Sequence, residues 1–289
     1  MNAILSYEFM QNAILVGIMA SIVCGVIGPF IVTRRMVFIS GGLSHTAFGG
    51  LGIAYWLGIR PLFGAMAFVL AAAVLIGRQE EKSLSRNDLF IGILWAVGVA
   101  IGILFIHMTP GYAPDLMSFL FGNILTVPRA DVLITLLLTL IVTGAVAIYY
   151  NGFVAIALDE EYARARRLPV AALKMGLMIL TALSIVMLIQ VVGILLVIAL
   201  LTIPVAIASE LARNFRRIML LSILCGILIC LSGLMASYFI EFPSGASIIL
   251  IGGALLGVIK GVKRVTDRRK TALRCERRRN GGTVSDKII

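Results

Sequence analysis

The chain is short of charge. Only 13% of its 289 residues are Asp, Glu, Lys or Arg, while 60% are hydrophobic; soluble globular domains carry about 25% charged residues. No soluble fold of this length has an interior large enough to hide so much apolar surface. Two soluble domains, which the length alone would allow, are therefore excluded. Acidic residues are the scarcest: 14 stand against 25 basic ones, for a net charge of +11. None lies deep in an apolar block, so the buried carboxylates that a proton- or sodium-coupled secondary transporter needs are missing.

Reactive chemistry is equally sparse. The four cysteines, Cys24, Cys225, Cys230 and Cys275, form no C-x-x-C pair, so neither a zinc site nor a disulfide framework is indicated. Three of them lie in apolar blocks and read as small buried hydrophobes. There is no G-x-S-x-G, no H-E-x-x-H and no Gly-rich dinucleotide fingerprint. The nearest approach to a phosphate loop, Gly77 to Ser83, lacks the glycine before Lys82 and sets Glu80 and Glu81 where phosphates would lie. The chain is not expected to be an enzyme; if ATP drives it, another subunit binds the ATP. A secretory signal peptide is also absent. The first eleven residues contain Glu8 and no Lys or Arg, and the apolar block that follows is longer than an h-region, so it reads as a retained span.

What is present is a series of long apolar blocks, at 12–33, 38–59, 61–77, 89–107, 132–150, 171–189, 191–208, 218–240 and 245–262. A membrane-crossing helix needs about 20 apolar residues, so the fold class is an all-α polytopic bundle of about nine spans, with eight to ten allowed. Basic residues alternate between the connections. With the N-terminus outside, nearly all of the 25 fall in the inside segments, and only Arg60 and Arg129 lie outside. The positive-inside rule therefore predicts N-out, C-in. Loop placement and anionic lipid explain the positive charge; nucleic acid is not an expected partner.

The chain divides into a transmembrane domain, 1–262, and a basic cytoplasmic tail, 263–289, whose composition predicts disorder on an anionic surface. Two connections stand out. Leu116 to Val127, in the outside segment, is apolar enough to form a partial helix that dips into the membrane, which is tolerated only where protein or a water-filled cavity satisfies the backbone. On the inside, Asp159 to Arg167 reads as a short charged helix, acidic at its start and basic at its end as the helix dipole prefers, and bounded by Pro169. It is either a solvated surface helix or a docking element for a cytoplasmic partner, with Asp159, Glu160, Glu161 and Arg164 as the candidate contacts.

Inside the spans, ionisable residues are costly and point to function. His45 is the one histidine within a block; His107 sits at a block's edge. Gly41 and Gly49 lie one helical turn to either side of His45 and leave space there, while Gly42, Thr46 and Gly50 form an adjoining small-residue ridge. His45 should point into the bundle, either as an interhelical hydrogen bond or as a transient metal ligand whose shell is completed by other helices or water. Gly253, Gly257 and Gly261 predict a close helix contact, within the chain or between subunits. Pro204 interrupts the seventh block and marks a kink, in a gate, a pore-lining helix or a packed one.

Four stretches taken together resemble the membrane permease subunits of ABC importers for divalent metals, the zinc/manganese/iron uptake family. They are Arg34-Arg-Met36 with Gly42-Leu-Ser-His45; Asp115 to Val127; Leu158 to Val170 with Val192-Gly193-Ile-Leu-Leu196 and Leu201 to Pro204; and Pro243-Ser-Gly-Ala246. The resemblance spans about residues 10–262 and implies location in the cell's inner membrane. It implies a dimer of permeases driven by two cytoplasmic ATPase subunits and fed by an extracytoplasmic metal-binding protein. No bound cofactor is implied, the metal being the substrate. The loop 158–170 falls where that family docks its ATPase, and His45 on a histidine that the family places on the translocation path. Many members carry an aspartate four residues before that histidine; Gly41 stands here, which leaves the metal open. A permease for a metal chelate, of the siderophore or cobalamin type, is the related alternative, although such chains are usually longer.

Overall fold

The computed structural model describes residues 7–78, 84–110, 122 and 124–281. Every regular element among them is helical. The order is α1 (Glu8–Thr33), α2 (Val37–Trp56), α3 (Pro61–Arg78), α4 (Leu84–Met108), a 3₁₀ turn (Ile124–Thr126), α5 (Arg129–Leu158), α6 (Glu160–Ala165), α7 (Val170–Val192), α8 (Ile194–Leu211), α9 (Phe215–Ile240) and α10 (Ser244–Gly281). Among the described residues nine helices are long and apolar enough to cross a membrane; α6, at six residues, is not one of them. The chain is a multi-pass membrane protein.

Burial separates a centre from a rim. In α1, α2 and α7, 78%, 72% and 67% of the most apolar stretch is buried, against 22% in α4 and α5 and 17% in α10. Glycine sets how closely the helices approach. A Cβ at Gly50 would overlap the Gly64 carbonyl of α3, and one at Gly52 the Gly102 carbonyl of α4. Gly25 meets the α9 backbone at Ile223 in the same way. In lipid, where apolar contact with the solvent is no penalty, such close backbone packing is what holds helices together.

The helix ends follow from local chemistry. After α1, the amide of Met36 donates to the Ile31 carbonyl and that of Arg35 to Val32, with Arg35 at φ 56°. The same pair of bonds closes α2 at Gly58 and α6 at Arg167. This is the Schellman arrangement, in which one left-handed residue satisfies carbonyls that the helix leaves orphaned. Between α7 and α8 there is no loop: Gly193, at φ 80°, ends one helix and starts the other.

Ion pairs sort the connections into two ends. Arg34, Glu160 and Lys174 meet at one end, where Lys263 also pairs with Glu210. Glu8 pairs with Arg129 at the other, where Asn12 Nδ2 donates to the Val127 carbonyl at 3.3 Å. The basic connections thus gather at one end, and Arg129 stands at the opposite one.

Three expectations need correction. The fifth span does not stop near residue 150: α5 continues to Leu158 across a non-helical residue, Tyr149. A 30-residue helix is about 45 Å long at 1.5 Å per residue, so the part beyond Tyr149 carries the chain past the apolar layer. The tail is not disordered from residue 263, since α10 runs on to Gly281. Extending a helix needs no new nucleus, and Lys, Arg, Glu, Ala and Leu are good helix formers. Finally, Gly253, Gly257 and Gly261 make no tight contact within the chain: nothing among the described residues would lie within 4 Å of a Cβ at any of them. Of the segment Leu116 to Val127, Gly122 and residues 124–127 are described, and the rest lies outside the described residues. Here Ile124 is buried and Val127 nearly so.

Candidate functional site

His45 lies in the seam between α2 and α4. On α4, Ile91, Trp95, Gly98 and Gly102 recur at helical spacing and face α2. Gly98 is so close to Thr46 that a Cβ would sit 2.7 Å from the Thr46 Cα, and Thr46 Oγ1 donates to its own helix at Gly42 (2.7 Å) and toward the Leu94 carbonyl (3.4 Å). With glycines holding the backbones together, the ring of His45 stacks on that of Trp95. Their centroids are 4.2 Å apart and the planes 10° from parallel.

His45 is half-buried, and no hydrogen bond to its imidazole is formed among the described residues. The nitrogens remain available to a ligand, as a transient metal site needs. The space around the ring is one-sided. A Cβ on Gly41 would meet only Ile198 of α8 at 3.6 Å and Trp95 at 3.8 Å, ordinary contacts. On the other side, Gly49 is closed by the Gly98 carbonyl at 2.9 Å and Phe68 at 3.0 Å. The expectation of room on both sides holds at Gly41 alone, because α3 and α4 fill the other. No group of three His, Cys, Asp or Glu side chains that could hold a metal occurs among the described residues.

Pro204 is not brought to His45. It is buried in α8, where Gly28 of α1 approaches within 2.7 Å of the Leu201 carbonyl and Val205, measured from a built Cβ. The α8 residue that faces the His45 site is Ile198, six positions earlier. A cavity of about 340 Å³, lined by Tyr55, Arg60, Asp131 and Gln190 among apolar side chains, lies away from His45, and the positive charge of Arg60 makes it a poor receptor for a cation.

The short inside helix is present as α6, and its four candidate contacts divide by role. Asp159 caps the helix, accepting the Tyr162 amide at 3.0 Å, a typical N-cap bond. Glu160 turns inward. Its carboxylate is bonded by Lys174 of α7 at 2.7 Å and Arg164 at 2.7 Å, and lies 3.7 Å from Arg34 at the end of α1. Arg34 also donates to the Ile156 carbonyl in the last turn of α5 at 2.9 Å, a group the helix leaves unsatisfied. Partial burial pushes the Glu160 carboxyl up, but hydrogen bonds from Lys174 and Arg164, and their charges, outweigh it and hold the group below the ordinary glutamate value. Glu161 is exposed, as are Tyr162 and Arg166, whose guanidinium lies 5.1 Å from the Tyr162 ring centroid. The surface that α6 offers a partner is therefore Glu161, Tyr162, Arg164 and Arg166, and Glu160 belongs to the chain's own scaffold. Tyr162 and the inward turn of Glu160 were not singled out from the sequence; the helical spacing of Glu160 and Arg164, four apart, was the available signal.

Comparison with known proteins agrees with this architecture. The chain is 35% identical over 251 residues to a Listeria monocytogenes manganese transport system membrane protein, covering 87% of this chain and 89% of that one. It is 38% identical to a probable metal transport system membrane protein of Chlamydia pneumoniae, covering 81% and 82%. The solved structure of PsaBC from Streptococcus pneumoniae in complex with Fab superposes with a TM-score of 0.80 at 30% identity, covering 89% of this chain and 93% of that one. Residues 6–260 match the ABC 3 transport family, and the chain is a member of that family.

Proposed function

We propose that the chain is the membrane permease of an ATP-driven importer of divalent metal ions, with Mn²⁺, Zn²⁺ and Fe²⁺ as the candidate cargo. The observation that carries this reading is His45: an imidazole at mid-span, stacked on Trp95, with no hydrogen-bond partner among the described residues and open space toward Gly41. The transport functions named for the Listeria and Chlamydia relatives support it. One imidazole cannot hold a metal alone, so water or a second permease completes the shell. The exposed stripe Gly253, Gly257 and Gly261 is where a second copy of the chain packs, since small residues let helices approach closely. The basic end faces the cytoplasm. There α6 docks a separate ATPase subunit through Glu161, Tyr162, Arg164 and Arg166, while an extracytoplasmic binding protein delivers metal at the Glu8–Arg129 end.

The test is uptake of radioactive Mn²⁺, Zn²⁺ and Fe²⁺ into vesicles holding the reconstituted permease, ATPase and binding protein. ATP-dependent accumulation of at least one ion, lost in His45→Ala, is expected. Uptake of none of the three, or full uptake by His45→Ala, would overturn the reading.

A further inference from the structure

Four helices meet at the Glu160 carboxylate. α6 carries it, α7 reaches it through Lys174, α1 through Arg34, and Arg34 fastens the end of α5 by its bond to Ile156. Beneath them Phe30 of α1, wholly buried, packs on Phe153 of α5 and Phe215 of α9 with ring centroids 6.1 and 4.8 Å away. The chain itself connects α6 to α5 and α7, but α1 is joined to α6 through Arg34 and Glu160.

The far ends of the same helices converge as well. α1 spans about 39 Å at 1.5 Å per residue, and near its other end Asn12 holds the Val127 carbonyl while Glu8 pairs with Arg129. α7 ends at Gly193, where Gly122 presses so closely that a Cβ would overlap the Val192 carbonyl. Both helices tied to Glu160 at one end thus abut the turn at 122–128 at the other.

We propose that Glu160 is the positioning residue that couples the docking helix α6 to the turn at 122–128, with α1 and α7 as two rods. This rests on the reading of α6 as the ATPase-docking element. A shift of α6 on nucleotide binding drags Arg34 and Lys174 with it. Packed helices move as units rather than bending continuously, so displacement at one end is delivered to the turn that closes the other. The ion pairs matter for this more than for stability. They lie where water reaches, and such pairs contribute little to folding.

The experiment uses the permease purified with its ATPase subunit in nanodiscs, with Thr126→Cys as a reporter in the turn and Cys225 and Cys275 replaced by Ser. The maleimide labelling rate is measured with and without ATP and vanadate. Trapping the nucleotide should change the rate at least about fivefold, the lower end of ordinary coupling between sites. Glu160→Gln and Arg34→Gln should retain the ATPase and its hydrolysis, yet lose the labelling response and metal uptake. Asn12→Ala, which leaves the docking end intact, should do the same. A labelling response that survives Glu160→Gln overturns the proposal, as does parallel loss of ATPase binding, which would make Glu160 part of the docking surface. Should Glu160→Gln fail to assemble, Asn12→Ala decides, a preserved response again overturning the proposal. Absence of ATPase from the wild-type complex would instead overturn the docking reading, and this proposal with it.

Discussion

The imidazole of His45 lies flat against the indole of Trp95, 4.2 Å between ring centroids and 10° between planes. The stack fixes the ring without occupying either nitrogen, which separates two roles that the sequence left open. A structural hydrogen bond at His45 would be rescued by glutamine. With no such bond among the described residues, His45→Gln and His45→Ala should lose metal uptake alike while expression and assembly persist. Trp95→Phe should keep most of the uptake, and Trp95→Ala, which removes a stack worth about 1 kcal/mol, should lower it. Near-normal transport by His45→Gln would return the residue to a structural role.

Gly41 offers the complementary test. A Cβ there makes only ordinary contacts with Ile198 and Trp95, so Gly41→Asp should fold. It sets a carboxylate one turn from His45, and hard oxygen ligands favour Mn²⁺. Competition uptake should move toward Mn²⁺ over Zn²⁺ relative to wild type. An unchanged ratio in a well-assembled variant would place the metal elsewhere.

Much of this was legible in the sequence, and the exceptions are instructive. Nine apolar blocks became nine spans because, in a bilayer, length and hydropathy are the governing constraints. The DEEYARARR segment became α6 because Asp159 is an N-cap and the charges suit the dipole. The orientation of Glu160 was not legible. Whether a carboxylate on a six-residue helix faces water or the protein depends on Arg34 and Lys174, which only the fold brings near. Glycine patterns were ambiguous for the same reason. The ridge at Gly42, Gly49 and Gly50 is buried against α3 and α4, whereas the equally regular Gly253, Gly257 and Gly261 stripe touches nothing in the chain.

That contrast predicts opposite mutational behaviour. Gly50→Ala would drive a methyl into the Gly64 carbonyl, and Gly52→Ala into that of Gly102. Overpacking of this kind costs about 1–3 kcal/mol, so both should lower the thermal midpoint of the detergent-solubilised chain. Gly257→Ala meets no atom within the chain and should leave that midpoint unchanged. Equal destabilisation by all three would contradict the packing described.

Sidedness can be read by cysteine labelling in intact cells, in a background lacking the native cysteines. Glu241 and Arg213 are exposed residues on opposite ends of α9. Glu241→Cys should react with a membrane-impermeant maleimide added outside, and Arg213→Cys only after the membrane is opened. The reverse pattern would invert the topology and place α6 on the wrong side for an ATPase.

The pH dependence follows from Glu160. Its folded pKa lies below the ordinary glutamate value because the bonds and charges of Lys174 and Arg164 outweigh the effect of burial. A carboxylate with a depressed folded pKa contributes stability that is fully present above its unfolded pKa, about 4.3, and is lost as pH falls through the folded value. The difference in thermal midpoint between wild type and Glu160→Gln should therefore be constant from neutral pH to about 5, then shrink on further acidification. Direction matters here: a difference that grew as pH fell would mean that the protonated form is the one the site favours. The same acidification should slow ATP-driven uptake without releasing the ATPase, because Glu160 faces Arg34 and Lys174 inside the chain and not the partner.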